Sequence, residues 1–473
     1  MSTAIPVLED YDVSPTNGFL PTAPPLESLS DDYFQPWEHI VRNLQGLILS
    51  KRLRGTVNAM PVLSTATLKS EAEWRRAYCI LAFMTHAYIW AEDKPAERVP
   101  PSISVPFLAT CKHLEVPSVA TYASVVLWNW KPLFEAERTD TLANLDAIHT
   151  FTGSMDEKWF YLISVAIEAR GAAAIPLMLS AIESVRQGDI AAVTKALRAF
   201  AERLDELGAL LSQMYEHCDP YVFYNRIRPF LAGSKNMADA GLPNGVIFDN
   251  GGPMHKQRYV QYSGGSNAQS SIFQFFDVVL SVQHRPTGER ADAETMKKRA
   301  PPPNFIHEMR KYMPGPHARF LAQVEKIANI RAFVESHSKD TALTLAYDAA
   351  LAMLSALRDK HIQIVSRYII VQSKKAKDGT SITKKINLAS RPKDDKKSLK
   401  GTGGSSLIPF LRQARDETAE PAIADWAKRL LSKEKGPAGV KLAVIEKQAE
   451  HVPNCKGLSG DWTVDEQGGL CYA

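Results

Sequence analysis

Apolar residues recur through most of the chain at intervals of three and four positions, which is the spacing of one face of an α-helix. The longest such stretch, Ala342–Ile370, predicts one long helix with a histidine, His361, on its apolar face. Stretches with the alternating pattern of a β-strand are few. The pattern therefore predicts an all-α protein. Further helices are expected over Trp37–Ser50, Glu71–Trp90, Val119–Trp130, Lys158–Arg170, Ala172–Arg186, Ile190–His217, Gln269–Gln283, Phe305–Tyr312, Pro316–Ile327, Leu407–Thr418 and Ala422–Lys433.

Two interruptions of the helical pattern indicate how the chain is organised. Periodicity is lost over residues 132–150, which predicts a domain boundary. Residues 233–267 contain many glycines and asparagines and predict a long connection without regular structure. The predicted parts are a small N-terminal helical domain (1–148), a larger helical domain (149–420) that includes a flexible basic linker (372–400), and a C-terminal extension (421–473).

The net charge of +4 is unevenly distributed along the 473 residues. Residues 372–400 hold nine lysines, one arginine and three aspartates, which gives +7, so the rest of the chain carries −3. Because the body is nearly neutral, we expect no binding to nucleic acid. The basic segment is most simply a solvated loop.

The cysteines and the apolar runs bear on location. The five cysteines form no C-x-x-C pair, which argues against a zinc site or a disulfide framework and fits a reducing compartment. The N-terminus lacks the pattern of a secretory signal. The longest apolar run, Ser164–Val185, is interrupted by Glu168, Arg170, Pro176 and Glu183, so no membrane span is expected. We therefore expect a cytoplasmic protein, acting as a monomer.

His361 has two possible roles on its apolar helix face. A buried histidine needs partners for its ring nitrogens, and the commoner solution is a core histidine bonded to a carbonyl group. The alternative is a ligand to a metal or to a haem iron, for which imidazole is well suited. Arg358 lies one turn earlier on the same side, where a cation would suit an anionic haem propionate. The helix alone leaves both roles open.

Two glycine-rich segments are candidates for contact with a ligand. Ser263–Ser271, with the sequence SGGSNAQSS, lets backbone approach a flat or bulky group and offers hydroxyl and amide groups. It also fits a plain loop with a helix cap at Ser270 or Ser271. A phosphate cradle and a nucleophile elbow at Ser266 both lack the strand that should come first. Lys400–Ser406 fits either a mobile lid or a glycine-rich turn.

An arginine beside aromatic residues suggests a ligand that combines a carboxylate with a flat ring. Phe223 and Tyr224 share a predicted helix face, and Arg228 lies one turn from Tyr224. The alternative is an amphipathic helix whose arginine is solvated. Trp159–Glu168 is typical of core. His317 lies in a proline-rich turn with no neighbouring base or nucleophile, so we interpret it as structural.

Several long segments, in order, resemble the indoleamine 2,3-dioxygenase family, and the resemblance runs from about residue 17 to about residue 418. The segments are PPSISVPF, TYASVVLWNWK, RPFLAGSK, SGGSNAQSSIFQFFD, RKYMPGPHARFL, LRDKHIQIVSRYI and KGTGGSSLIPFLRQARDET. The long tail and proline-rich N-terminal arm resemble fungal members. The resemblance implies an all-α fold with a small and a large domain. It also implies a haem b enzyme that cleaves the indole C2=C3 bond of L-tryptophan with O₂. The product would be N-formylkynurenine, in the first step of the kynurenine route, and an electron donor would keep the iron ferrous.

The resemblance also implies roles for individual residues. His361 matches the proximal ligand of the haem iron, and Arg358 and Asp277 match the pair that supports a propionate and the proximal side. Gly265 and Ser266 match the loop over the haem edge. Arg228 matches the arginine that holds the substrate carboxylate. The remaining matches to substrate-binding positions are Tyr122, Val125, Val126, Phe160, Ser164, Phe223, Tyr224, Ser266 and Thr402. No general base is assigned, and Ser164 is a hydrogen-bonding residue at most.

Some positions depart from the mammalian pattern. Tyr161 and Tyr224 replace phenylalanines, Val125 replaces a cysteine, and Asn267 replaces an alanine beside the haem edge. The departures at Asn267 and Tyr224 keep open a haem-binding relative with low tryptophan turnover, acting as a sensor or on another indole. A helical scaffold without a cofactor and a serine hydrolase built on Ser266 are further alternatives.

Overall fold

The computed structural model describes residues 4–287, 304–377, 401–402, 407–424, 427–428, 462–464 and 470–472. These residues are mostly helical, which confirms the predicted all-α class. Residues 1–432 form one compact unit and residues 433–473 a second. The α-helices of five or more residues are Gln35–Arg42, Leu44–Leu49, Leu53–Ala59, Glu71–Trp90, Pro101–Leu114, Met155–Gly171, Ala174–Gln187, Ile190–Ser212, Ser271–Val279, Phe305–Met309, Gly315–Ile327, Ile330–Ser336, Thr341–Val365, Gln372–Lys377 and Leu407–Ala419. Shorter α-helical turns cover Met214–His217, Pro220–Val222 and Arg228–Leu231.

Two long helices, Ile190–Ser212 and Thr341–Val365, pack along each other in the core of the first unit. Each begins after an aspartate, Asp189 or Asp340, whose carboxylate accepts a backbone N–H bond of 2.9 Å. Such caps satisfy amide groups that the first helical turn leaves without partners. We call Thr341–Val365 the central helix. It carries His361 close to its C-terminal end, so the packed pair fixes the position of this side chain.

A further helix, Leu407–Ala419, packs against the central helix. We call it the C-terminal helix. Its buried residues include Leu407, Ala414 and Thr418, which face the body of the first unit. The helix therefore forms part of the wall near His361.

The strands in the described part of the chain are two or three residues long. Arg98–Val99 pairs in parallel with Val246–Phe248, which pairs antiparallel with Tyr259–Val260. The other antiparallel pairs are Trp130–Pro132 with Leu145–Ala147, and Trp462–Val464 with Leu470–Tyr472. The predicted irregular connection 233–267 thus contains two strands. Strands of two or three residues are too short to display an alternating pattern.

Other boundaries also differ from the expectations. Val119–Trp130 is not one α-helix, because only Ala123–Leu127 is helical and a strand begins at Trp130. Trp37–Ser50 is divided at Asn43 into two helices. Of the predicted basic linker, residues 372–377 are helical and residues 378–400 lie outside the described residues. The division at residue 148 and the separate extension from residue 421 stay predictions.

One region of the described chain is long and apolar enough to cross a membrane by length and composition alone. It covers Met155–Gln187, and 78% of its most apolar window is buried inside the protein. Such burial is typical of a core helix.

Candidate active site

Two adjoining cavities lie at the C-terminal end of the central helix. We call them the Arg358 cavity, of about 850 Å³, and the Arg228 cavity, of about 1200 Å³. The residues common to their walls are Ser164, Leu211, Asn267, Ala268, His361, Phe410 and Leu411. The cavities are therefore two parts of one site, and His361 lies where they meet.

His361 does not behave as an ordinary core histidine. It is partly exposed to both cavities, and no hydrogen bond among the described residues uses its ring nitrogens. By contrast, the ring of His86 is bonded on both sides, with Nδ1 2.6 Å from the Phe230 oxygen and Nε2 accepting from Ala120 N at 2.8 Å. The hydrogen-bonded core role is thus excluded for His361 in the described part of the chain.

The charge state of His361 suits a ligand. Burial, and then the neighbouring charge of Arg358, lower the pKa of His361 to about 4. The imidazole is therefore neutral near pH 7 and keeps a nitrogen lone pair, which is the form that binds metals.

Arg358 is held by a buried chain of alternating charges. Its guanidinium donates to both carboxylate oxygens of Asp277 at 2.6 and 2.7 Å. His284 Nε2 lies 3.0 Å from the same carboxylate, and His284 Nδ1 lies 2.7 Å from Glu417 Oε2. Arg358 also donates to Thr418. Glu417 and Thr418 belong to the C-terminal helix, so the network ties that helix to the Arg358 cavity.

The charges in this network support one another. Burial would raise the pKa of Asp277, but the charges of Arg358 and His284 outweigh it, so the pKa lies below its usual value. Burial would lower the pKa of His284, but the charge of Asp277 and the hydrogen bonds to Asp277 and Glu417 raise it. Asp277 is thus ionised near neutral pH and keeps Arg358 in place.

Arg228 is a buried cation at the wall of an apolar cavity, and the alternative of a solvated arginine is wrong. Only 6% of the residue is exposed, and its guanidinium carbon lies 5.7 Å from the centroid of the Tyr224 ring. Burial lowers the pKa of Arg228, which shows that this position is costly for a charge. A cation in such a position favours an anionic ligand.

Three π-helical turns supply much of the Arg228 cavity. They cover Ala123–Leu127, Phe223–Ile227 and Ser366–Val371, and each contributes residues to the wall. Such turns are rare and often occur at functional sites, because the extra residue redirects the following side chains. No local sequence pattern distinguishes these turns from ordinary α-helix.

The two glycine-rich segments meet at the rim of the site. Gly264 N donates to the Thr402 carbonyl at 3.1 Å, and Thr402 Oγ1 donates to the Gly265 carbonyl at 2.6 Å. A Cβ atom on Gly264 would lie 2.1 Å from the Leu231 carbonyl oxygen, so glycine is required there. The other positions of Lys400–Ser406, residues 400 and 403–406, lie outside the described residues, so the choice between a lid and a turn stays a prediction.

The expected serine cap of the following helix is wrong in detail. Ser270 precedes the helix that begins at Ser271, but its side chain caps nothing. Its hydroxyl instead donates to Glu168 Oε1 at 2.7 Å. Ser266 provides a cap, accepting from Ala268 N at 3.3 Å at the start of a 3₁₀ turn.

The residues predicted for the site come together here, with one exception. The Tyr224 ring contacts the Arg228 guanidinium but is not part of either wall. The predicted residues that line the Arg358 cavity are Ser164, Asp277, Arg358 and His361. Those that line the Arg228 cavity are Tyr122, Val125, Val126, Phe160, Ser164, Phe223, Arg228, Gly265, Ser266, His361 and Thr402.

Comparison with known proteins gives this geometry a family. A sequence model described as indoleamine 2,3-dioxygenase matches residues 7–421. The chain belongs to the indoleamine 2,3-dioxygenase family. Members of this family are haem-dependent dioxygenases, and the chain is accordingly an oxidoreductase of the dioxygenase type.

Relatives in the indoleamine 2,3-dioxygenase family match most of the chain. Indoleamine 2,3-dioxygenase of Saccharomyces cerevisiae is 40% identical over 437 residues, which are 88% of this chain and 94% of the relative. A 6-hydroxytryptophan 2,3-dioxygenase of Fusarium equiseti is 36% identical over 87% of this chain and 97% of the relative. Indoleamine 2,3-dioxygenase 2 of Homo sapiens is 32% identical, with 89% and 97% covered. The higher identity to fungal members agrees with the fungal character inferred from the sequence.

Sequence reasoning missed several residues of this dioxygenase site. His284 and Glu417 complete the charged network, and Glu168 binds Ser270 behind the wall. Phe410 and Leu411 of the C-terminal helix line both cavities. The helical period of residues 407–418 predicts the helix, but no local signal indicates which element it packs against.

Proposed function

We propose that the joined cavities hold haem b with His361 as the axial ligand of its iron. The observation that carries the proposal is the neutral imidazole of His361, which faces the cavities and makes no hydrogen bond among the described residues. Arg358, fixed by Asp277, supplies a cation for a haem propionate. Gly265 and Ser266 would border the haem edge. The haem, when bound, supplies the iron at which O₂ is activated.

The substrate that fits the Arg228 cavity best is L-tryptophan. Arg228 would bind the substrate carboxylate in a charge-assisted contact. Apolar and aromatic side chains, among them Val125, Val126 and Phe160, would hold the indole and exclude water. Both atoms of O₂ add across the indole C2=C3 bond, which opens to give N-formylkynurenine, the first product of the kynurenine route. The protein contributes orientation and polarity, and no side chain is assigned as a general base.

Further parts of the proposal concern the setting of the reaction. We propose a cytoplasmic monomer whose iron is kept ferrous by an electron donor. The N-terminal part up to residue 148 and the part over 149–420 are proposed to act as the small and large domains.

The test is an absorption spectrum of the haem-supplied protein, followed by incubation with L-tryptophan, a reductant and air. A haem spectrum together with N-formylkynurenine is the expected result. A colourless protein would contradict the haem proposal.

A second candidate is a haem-binding dioxygenase that prefers another indole. It is favoured by Val125 and Asn267 in the walls and by the relative named for 6-hydroxytryptophan. Turnover of 6-hydroxytryptophan well above that of L-tryptophan would support it, and a haem spectrum without either product would indicate a sensor-like protein.

A further inference from the structure

A sealed carboxyl group lies directly behind the wall of the Arg228 cavity. Glu168, on the helix Met155–Gly171, is 0% exposed. Its Oε1 accepts from Ser270 Oγ at 2.7 Å, whereas its Oε2 is buried and has no hydrogen-bond partner among the described residues. A buried polar atom without a partner is costly and calls for an explanation.

Tyr122 connects this carboxyl group to the cavity. Tyr122 lies close enough to Glu168, Ser270 and Ser164 for each of them to influence the pKa of its phenol, and both Tyr122 and Ser164 line the Arg228 cavity. The backbone of Tyr122 is fixed, because its N–H donates to Gln269 Oε1 at 2.9 Å. The hydroxyl hydrogens can reorient at little cost, since they rotate about a single bond.

Glu168 can change its charge near neutral pH. Burial raises the pKa of Glu168 to about 7, and the neighbouring hydroxyl groups of Ser270 and Tyr122 act in the opposite direction. Tyr122 is the titratable group that faces it, and burial raises the pKa of Tyr122 well above its usual value, so the phenol stays neutral. Among the described residues, no cation and no second carboxylate contributes to the shift at Glu168.

We propose that Glu168 is a positioning residue whose protonation state sets the hydroxyl directions of Tyr122 and Ser164, and thereby the polarity of the cavity wall. When Glu168 is ionised, its carboxylate accepts a hydrogen bond from the Tyr122 hydroxyl. Ser164 then donates to the Tyr122 oxygen, and its own oxygen faces the cavity as an acceptor. When Glu168 is protonated, it donates a hydrogen bond to the Tyr122 oxygen. The Tyr122 hydroxyl then donates to the Ser164 oxygen, and the Ser164 hydroxyl faces the cavity as a donor.

This inference rests on the proposed function, because it concerns how the wall meets the indole of L-tryptophan. The indole N–H is a donor only. When Glu168 is ionised, the indole N–H therefore meets the Ser164 oxygen as an acceptor. When Glu168 is protonated, the indole N–H meets the Ser164 hydroxyl as a second donor, and the hydrogen bond is lost. We expect the affinity of the haem-loaded protein for L-tryptophan to rise about threefold to tenfold as Glu168 ionises, the value of one neutral hydrogen bond.

The test is a spectroscopic titration of the haem-loaded protein with L-tryptophan, without O₂, from about pH 6 to about pH 8. In the wild type, Kd should fall with a midpoint near pH 7. The Glu168→Gln side chain cannot ionise, so its Kd for L-tryptophan should not change with pH in this range. Tyr122→Phe should also lose this pH step while keeping Glu168. The same titration with 1-methyl-L-tryptophan, which has no indole N–H, should show no step in any variant.

Glu157→Gln is the matched control. Glu157 lies on the same helix and is also 0% exposed, but it accepts from Phe151 N, Thr152 N and Tyr161 Oη at 2.7 to 2.8 Å, away from the cavities. It should keep the wild-type pH step. A step that persists in both Glu168→Gln and Tyr122→Phe, or one that 1-methyl-L-tryptophan reproduces, would overturn the inference alone. Absence of L-tryptophan binding and of N-formylkynurenine at every pH would overturn the proposed function as well.

Discussion

The attachment of the C-terminal helix through Glu417 leads to a quantitative prediction. The helix contributes Leu407, Phe410 and Leu411 to the site walls, although it is far in sequence from most of the other wall residues. Its charged anchor is Glu417, whose side chain is 3% exposed and lies 2.7 Å from His284 Nδ1. Replacing Glu417 with Gln keeps the shape of the side chain and removes its charge.

The expected cost of Glu417→Gln is about 3 kcal/mol in the free energy of unfolding, the lower range for breaking a buried ion pair. The amide oxygen can still accept from Arg285 N, which Glu417 does at 3.0 Å, so the higher range is not expected. The neighbouring Glu420 also pairs with Arg285 but is 43% exposed. Glu420→Gln should therefore cost less than about 1 kcal/mol, as for other surface pairs.

The pH dependence of this cost follows from His284. Its pKa is raised in the folded protein, so the stabilisation by its carboxylate partners is fully present below its unfolded pKa of about 6.5. It is lost as the pH rises through the folded pKa. The difference in unfolding free energy between the wild type and Glu417→Gln should therefore become smaller as the pH is raised above about 6.5.

Urea unfolding, followed by circular dichroism at several pH values, measures these differences. Equal costs for Glu417→Gln and Glu420→Gln would refute the assignment of a buried ion pair. A difference in unfolding free energy that grows with rising pH would refute the assignment of a positive charge to His284 at low pH.

Three further predictions concern the cavities and the rim. His361→Ala should lose haem retention, measured by Soret absorbance at unchanged circular dichroism, whereas His255→Ala at the exposed surface should retain it. Arg228→Ala should raise KM for L-tryptophan by about tenfold to a hundredfold, the value of a charge-assisted hydrogen bond, with no comparable change for tryptamine, which lacks the carboxylate. Gly264→Ala should lower the unfolding free energy by about 1–3 kcal/mol through backbone overlap. Gly55→Ala, in a helix with open space around it, should be neutral or stabilising, and an equal loss in both glycine variants would contradict the packing argument.

The sequence predicts the local parts of this fold much better than their assembly. Periodicity identifies the central helix and the position of His361 on it, because both depend on residues within a few turns. The contact between His284 and Glu417 joins residues separated by 133 positions, and no local pattern encodes it. The same holds for Glu168, which interrupts an apolar run in the sequence but in the structure binds a serine of the glycine-rich loop. Spacing suggests ligand-binding roles for Arg228 and Arg358 but leaves the alternatives open, and only the family resemblance implies one specific role for each.

The two buried carboxyl groups beside the site illustrate how surroundings, more than residue type, determine charge. Asp277 is 5% exposed and lies between the cations Arg358 and His284, which keep its pKa below the usual value. Glu168 is as deeply buried, but its hydrogen-bonding neighbours are hydroxyl groups, so burial dominates and its pKa rises to about 7. Raising the pH through the neutral range therefore leaves Asp277 ionised and Arg358 in place, while Glu168 loses its proton and becomes negatively charged. A pH effect on substrate affinity that leaves haem retention constant is thus the signature expected of Glu168 and not of Asp277.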